Sequence, residues 1–383
     1  MPKKYFDVAV IGCGGMGSGA LYHLAKRGIK VCGIEQFGIA HNLGSSHGET
    51  RIIRKAYFEH PDYMPLLNRS YELWDDLAQE TGKKLMVQNG LIVGGKPDSE
   101  TIVNLEKCYQ KYSEPHECWT VAETRKRFPQ FRVPEDSNVF YDPFGGFLFV
   151  ETCVQVHLEA AQKLGAELFT DEKVLEWKQD GDGFCIQTTN GEIFADRLVL
   201  SMGAWSKNYL AQLGIQIDIW RKEVYWFRSH NLACFKPDQF PVYFFETSYG
   251  TFYGFPAINE KGLKIAEHSK SNIIETADEV NRNLESLDEE ELLRFLSEYI
   301  PNAGQERTDY SVCMYSKTSD DDFILDNHPQ DSNIVLAAGF SGHGFKFTPI
   351  VGEIMADLTL NGTTEHPIDF LRLSRFHKDQ VEV

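Results

Sequence analysis

The sequence predicts an α/β fold of two interleaved domains, one a Rossmann-like dinucleotide-binding unit and the other built on a mixed sheet. Three observations carry this expectation. A short apolar segment runs straight into Gly12-x-Gly14-x-x-Gly17 and a helical stretch, buried-strand texture returns in the middle and near the end of the chain, and an aromatic, β-rich block lies between those returns.

Residues 5–11 (YFDVAVI) are short, β-branched and apolar, as a strand buried on both faces must be. After the glycines, Ala20, Leu21, Leu24 and Ala25 recur at helical spacing over residues 18–27, and Gly28 stands where a helix C-cap belongs. A second strand over 30–34 ends in Glu35. Residues 57–80 read as mainly helical, with Leu66, Leu67, Tyr71, Trp74 and Leu77 on one face. Residues 85–95 (LMVQNGLIVGG) predict a hairpin around Asn89-Gly90, and 151–164 a helix. Strands follow at 174–177, 184–189 and 198–200, with Asn190-Gly191 as a turn. Residues 220–265 (VYWF, VYFFE, TFYGFP) have the composition of a mostly antiparallel sheet. An acidic helical stretch is expected over 275–299, a buried strand over 333–338, and a helix over 349–360 closed by Asn361-Gly362. No internal repeat or low-complexity segment interrupts this order.

Composition narrows the function classes. With 42% hydrophobic and 25% charged residues the chain of 383 residues is an ordinary globular protein of about two domains. A net charge of -18, from 38 Lys+Arg against 56 Asp+Glu, repels phosphate backbones and anionic lipid at long range, so neither nucleic acid nor a membrane surface is an expected partner. A small anionic substrate could still be held by a few local cations. The eight cysteines form no C-x-x-C pair, which speaks against a zinc ribbon or redox dithiol and for a reducing compartment. No signal peptide, membrane-length apolar run or C-terminal peroxisomal tripeptide is legible, so a cytoplasmic location is expected.

Gly12, Gly14 and Gly17 permit a tight turn and close backbone approach to a pyrophosphate at a helix N-terminus, and Glu35 lies at the distance from which an acid bonds a ribose hydroxyl. This pattern alone does not choose FAD over NAD. Further along, Gly44-Ser45-Ser46-His47-Gly48-Glu49-Thr50-Arg51-Ile52-Ile53-Arg54 packs one histidine and two arginines into a loop. It resembles the segment that runs beneath the flavin in the sarcosine, N-methyltryptophan and pipecolate oxidases. Two later stretches resemble the same family: residues 311–318, containing Cys313-Met314-Tyr315, and residues 338–347, containing Gly342-His343-Gly344 and Lys346. The resemblance runs through nearly the whole chain.

The resemblance implies an FAD domain of the p-hydroxybenzoate-hydroxylase type, built from residues 1–87, 150–219 and 316–383, and a substrate domain from 88–149 and 220–315, with the active site between them. Covalent FAD is implied through a thioether from Cys313 to the flavin 8α carbon. Gly12, Gly14, Gly17, Glu35, His47, Thr50, Arg51, Gly342, Gly344 and Lys346 are the further expected cofactor contacts. Arg54 and Lys346 are expected to hold a substrate carboxylate, since bidentate arginine and a lysine suit one in a partly dry pocket. Lys264 matches the lysine that activates oxygen over the flavin, a fixed cation able to stabilise superoxide. His268, Tyr253 and Tyr315 match positions around the amine end of the substrate. His47 and Arg51 are expected to face the flavin, where positive charge favours its reduced, anionic form, and the helix opened by Thr348-Pro349 is expected to add its N-terminal dipole.

The implied reaction takes a hydride from the carbon next to a secondary amine to the flavin, water hydrolyses the imine, and oxygen is reduced to hydrogen peroxide. Phe244 departs from the family, standing where sarcosine oxidase has a methionine, and residues 370–376 resemble the tryptophan- and pipecolate-type members. Sarcosine or another N-methyl amino acid such as N-methyltryptophan is the expected substrate, with pipecolate or proline as the alternative. A dehydrogenase with a non-oxygen acceptor, a flavin-binding sensor and an NAD-dependent dehydrogenase are the alternatives; the last leaves the His-Arg loop and the Cys-Met-Tyr motif unexplained. A monomer acting on a small amino acid and O2, with no metal, is the expectation.

Overall fold

A computed structural model describes residues 4–113, 115–270, 272–285, 289–304 and 306–380. The opening strand, Lys4–Ile11, lies between Val31–Ile34 and Gly191–Leu200 and runs parallel to both, with Val8 opposite Val31 on one side and Arg197 on the other. Ile334–Ala338 continues the parallel order beyond Leu198–Leu200. Its central strands are buried on both faces, as parallel strands covered by helices must be. Hairpin strands Val174–Asp180 and Gly183–Thr188 extend this eight-stranded sheet, the second joined to Gly191 through the expected Asn-Gly turn.

A second sheet of nine strands is built around Asp218–Arg228, Val242–Thr247, Gly250–Phe255, Leu263–Glu267 and Glu306–Lys317. Most of its pairings are antiparallel, as the aromatic, β-rich composition predicts. A third, three-stranded sheet joins Thr50–Ile53, Met86–Val87 and Gly146–Phe149.

Two helices fix the glycine turn in space. Gly15–Lys26 packs backbone to backbone on Thr348–Asn361: a Cβ on Gly352 would stand 2.4 Å from the carbonyl carbon of Gly19, and one on Gly19 would stand 2.6 Å from the Thr348 carbonyl oxygen. Gly362, left-handed at φ 73°, ends the second helix as expected.

Three sequence expectations need correction. The predicted hairpin at 85–95 is not one: Met86–Val87 joins the three-stranded sheet, while Leu91–Gly95 pairs with Val242–Thr247 and Asn138–Asp142. The turn at Gly90 is real, at φ 83°, but the buried apolar run after it is claimed by the centre of the large sheet. The helix at 57–80 begins only at Met64, after the turn Pro61–Tyr63: Pro61 holds the residue before it, His60, extended and so bars helix upstream, whereas Pro65 falls in the first turn, where proline is tolerated. The acidic stretch 275–299 is helical only at Glu290–Tyr299 and in the single turn Ala277–Glu279. Between them Arg221 takes the carbonyls of Asn281 and Asn283 at 2.7 and 2.8 Å, so those groups do not serve a helix. Residues 286–288, within that stretch, and 381–383, on which the peroxisomal reading rests, lie outside the described residues. No helix of the described residues is long and apolar enough to cross a membrane.

Gly352→Val tests the close helix contact. Forcing two backbones apart costs about 1–3 kcal/mol, so the midpoint of chemical denaturation is expected to fall accordingly, whereas Gly38→Ala, where an added Cβ meets nothing within 4 Å and the backbone is not left-handed, is expected to cost less.

Candidate active site

The end of the first strand delivers the chain into a turn that only glycine can make. Gly12 sits at φ 87° with its Cα edge against the Ser201 carbonyl, and a Cβ on Gly17 would stand 1.8 Å from the Gly12 oxygen. Gly14 has no atom within 4 Å of where its Cβ would lie, so the turn opens towards a cavity. The helix that follows has no side-chain cap from Gly14 and no acid in its first turn, and Gly15 N–H donates to Ser46 Oγ at 3.3 Å, so the positive end of the helix faces the cavity without a neutralising carboxylate in its own first turn. The Glu35 carboxylate accepts from Cys13 N–H at 2.8 Å and Phe37 N–H at 3.1 Å and stands at the same cavity. That cavity, of about 480 Å³, is lined also by Arg51, Tyr315, Gly342 and Gly344.

A second, smaller cavity of about 50 Å³ shares Arg51, Tyr315, Gly342 and Phe345 with the first and is lined otherwise by Ile52, Arg54, Glu59, Phe244, Tyr253, His268, His343 and Lys346. Arg54 is 3% exposed; its guanidinium donates to the Ala56 carbonyl and the Glu59 carboxylate and lies 3.9 Å from the Phe58 ring centre. Lys346, 4% exposed, donates to the His343 carbonyl at 2.5 Å. Burial first, and then Arg54, push its ammonium down to about 7. Burial pushes the Glu59 carboxyl up, but Arg54, His343 and Lys346 outweigh it and bring it to about 2. Across the cavity the Tyr253 and Tyr315 hydroxyls stand 3.3 Å apart, and His268 Nδ1 is 3.4 Å from Tyr315. Burial, followed by Lys222, pushes His268 down to about 3, so its imidazole is neutral.

Five of the expected site residues line neither cavity. Gly17 closes the turn itself. Lys264 is 2% exposed rather than solvated, and donates to the Gly48 and Thr50 carbonyls at 2.6 and 2.7 Å and to Thr50 Oγ1 at 3.2 Å, so Thr50 meets Lys264 rather than a cavity. Cys313 is a buried free thiol on the strand face shared with Ser311 and Tyr315, paired in register with Lys222 and in the field of Arg51, Lys264, Lys222 and Arg282. His47 requires a correction. Its Nδ1 meets Ser311 Oγ at 3.2 Å, and burial, then Arg51, Arg282 and Lys264, push it down to about 3, so it brings no positive charge. Its Nε2 is buried without a hydrogen-bond partner among the described residues.

A glycine turn, an uncapped helix and an acid placed in this way match a known pattern over most of the chain: residues 7–358 fit the model of the FAD dependent oxidoreductase family, DAO. This chain is a member of that family. It is 40% identical over 378 residues to monomeric sarcosine oxidase of Bacillus sp. (strain B-0618), covering 97% of each chain. It is 39% identical to monomeric sarcosine oxidase of Streptomyces avermitilis, covering 95% of this chain and 96% of that one. N-methyl-L-tryptophan oxidase of Salmonella agona is 32% identical, with 97% and 99% covered. In fold it resembles NikD, an amino acid oxidase of nikkomycin biosynthesis, at a TM-score of 0.85 and 24% identity over 97% of this chain and 98% of that one. The L-proline dehydrogenase of P. horikoshii gives 0.85 at 23% identity, with 99% of both chains covered.

The residues present fit the cofactor of this oxidoreductase family. The turn at Gly12–Gly17 and the helix N-terminus after it suit a pyrophosphate, and Glu35 a ribose. Sequence reasoning missed Glu59, which only its position five residues after Arg54 could have suggested, and also Glu151 and Lys222, whose partners come from remote segments.

Lys346 makes the stability of the ligand-free protein depend on pH. Its ammonium is pushed down to about 7 from an ordinary 10.5, so the unfolded chain binds more protons between those values. The penalty of burying the charge is complete below pH 7 and vanishes as pH rises towards 10.5, so stability from this residue increases across that window. Lys346→Met is expected to flatten the rise in denaturation free energy measured between pH 7 and 10.

Proposed function

We propose that this protein is an FAD-dependent oxidase of secondary amino acids, acting on sarcosine or another N-methyl amino acid and passing the electrons to O2. The observation that carries the reading is the pair of buried cations, Arg54 and Lys346, in a small cavity that shares a wall with the cradle for the dinucleotide. A carboxylate entering there finds a guanidinium and an ammonium already held by local acceptors. It competes with Glu59 for Arg54, and once bound it raises the proton affinity of Lys346. Tyr253, Tyr315 and neutral His268 face the amine end and orient it through hydroxyl and imidazole groups without adding charge. Phe244 and Phe58, 4.7 Å apart, keep water from the side-chain wall. The cavity of about 50 Å³ and the higher identity to the sarcosine oxidases favour a small substrate over an indole-bearing one.

FAD, when bound, supplies the acceptor for the hydrogen and electron pair leaving the carbon next to nitrogen, and returns the electrons to O2 as hydrogen peroxide. For an N-methyl substrate, one O2 and one water then give formaldehyde, the demethylated amino acid and peroxide. Cys313 is the proposed covalent anchor, supported by its buried free thiol and the cations around it. Lys264 is the proposed oxygen-activating group, with Arg51 beside it. The FAD domain is assigned to 1–87, 150–219 and 316–383 and the substrate domain to 88–149 and 220–315, as a cytoplasmic monomer.

The deciding experiment is an absorbance spectrum before and after acid precipitation, followed by peroxide assays with sarcosine, N-methyltryptophan, pipecolate and proline. Colour is expected in the pellet, lost from it in Cys313→Ala, with peroxide formed fastest from sarcosine. Turnover only with an artificial electron acceptor would reassign the chain as a dehydrogenase, and ammonia from primary amines alone would overturn the reading. Lys346→Met and Arg54→Met each remove a hydrogen bond to a charged group worth about 1.5–3 kcal/mol, so kcat/KM is expected to fall about 10- to 100-fold in each, mainly through KM.

A further inference from the structure

The loop that receives Lys264 is held from its other side by a carboxylate that the proposed chemistry does not use. Glu151 lies in the first turn of the helix Val150–Lys163. Its Oε1 accepts from Gly48 N–H at 2.7 Å and from Glu49 N–H at 3.1 Å, and its Oε2 from Glu49 N–H at 3.2 Å. Gly48 and Glu49 are both left-handed, at φ 88° and 71°. Left-handed backbone is costly for a residue with a side chain; here it turns two successive N–H groups into one anion-binding concavity. Val150 N–H, donating to the Glu49 carbonyl at 3.1 Å, ties the turn to the same helix.

The same peptide segment presents its carbonyls the other way. Gly48 and Thr50 carbonyls and Thr50 Oγ1 take Lys264 Nζ, and the Thr50 carbonyl also takes Arg51 at 2.9 Å. Gly48 thus gives its N–H to Glu151 and its oxygen to Lys264. The other carboxylate of the turn, Glu49, is engaged on its outer side by Trp226, Asn259 and Lys261, at 2.9, 3.0 and 3.0 Å.

We propose that Glu151 is a positioning residue for the oxygen reaction: it holds the Gly48–Arg51 turn in the left-handed form that directs its carbonyls at Lys264 and sets Arg51 on the wall shared by both cavities. Its charge acts in the same sense as its geometry. Burial and Arg51 push the Lys264 proton off, while Cys313, Glu151 and Glu49 oppose them; neutral His47 stands in the same field. The inference rests on the oxidase reading, in which Lys264 serves oxygen.

The test uses the FAD-loaded enzyme as wild type, Glu151→Gln, Glu151→Asp and Lys264→Met. Two quantities are read: the Lys264 ammonium titration by NMR with 15N-labelled lysine, its signal identified by absence from Lys264→Met, and the separate rates of flavin reduction by substrate and reoxidation by O2. Glu151→Gln is expected to move the titration down by about one unit and slow reoxidation about tenfold, one unit being tenfold in protonated fraction. Flavin reduction is expected to change less than about twofold, well inside that tenfold interval, and Glu151→Asp is expected to recover part of both losses. An unmoved titration, or equal loss in both half-reactions, overturns the role of Glu151, and if Glu151→Gln does not fold, Glu151→Asp is read by the same two measurements. If Lys264→Met reoxidises at the wild-type rate, the assignment of Lys264 fails instead, and the titration still reports on Glu151.

Discussion

Positive charge taken out of water is the constraint around which this molecule is arranged. Arg54, Lys264 and Lys346 are 2–4% exposed in a chain whose net charge is -18, and an isolated buried cation costs several kcal/mol unless polar groups replace its hydration. Backbone carbonyls do most of that replacement: Ala56 for Arg54, Gly48 and Thr50 for Lys264, and His343 for Lys346. Only Arg54 meets a carboxylate directly, at Glu59. The site is therefore solvated by its own backbone and left with unspent positive field, the condition under which a small anion is preferred to water.

Such carbonyls point correctly only if the backbone that carries them is rigid, and the fold supplies that rigidity from two directions. The eight-stranded sheet ends in the glycine turn, which the close contact of helices Gly15–Lys26 and Thr348–Asn361 holds in place, with Lys346 just before the second helix. The nine-stranded sheet delivers Lys264 and Tyr253 on adjacent strands and Cys313 and Tyr315 on a strand across Asp218–Arg228 from them. The three-stranded sheet carries Arg51 between them. The larger and the smaller cavity meet at Arg51 and Tyr315, which are carried by strands of two different sheets.

Burial also decides what the site residues are. His47 and His268 have the composition of a basic site but lose their charge, because desolvation and the nearby cations act on them in the same direction. Lys346 sits near neutrality for the same reason, only partly relieved by Glu59. The proton on each buried lysine is thus held less firmly than it would be in water, and a bound anion restores it, whereas a guanidinium is the cation least dependent on such help.

From the sequence alone, the parts written in contiguous residues were legible. The strand, glycine turn, helix and Glu35 follow one another along the chain, and their chemistry is local, so order and spacing suffice to predict them. The Arg54 and Lys346 pair was legible through motif resemblance. The hairpin at 85–95 was misread because a buried apolar strand carries no mark of its partner: Leu91–Gly95 is claimed by Val242–Thr247, far along the chain. The helix expected over 275–299 yields around residues 281–283 to Arg221, a competitor that no periodicity reveals. Glu59, Glu151 and the neutrality of His47 belong to the tertiary structure for one reason. Hydrogen bonding across remote segments and the loss of solvent are properties of the packed interior, and neither is written in the residue types taken in order.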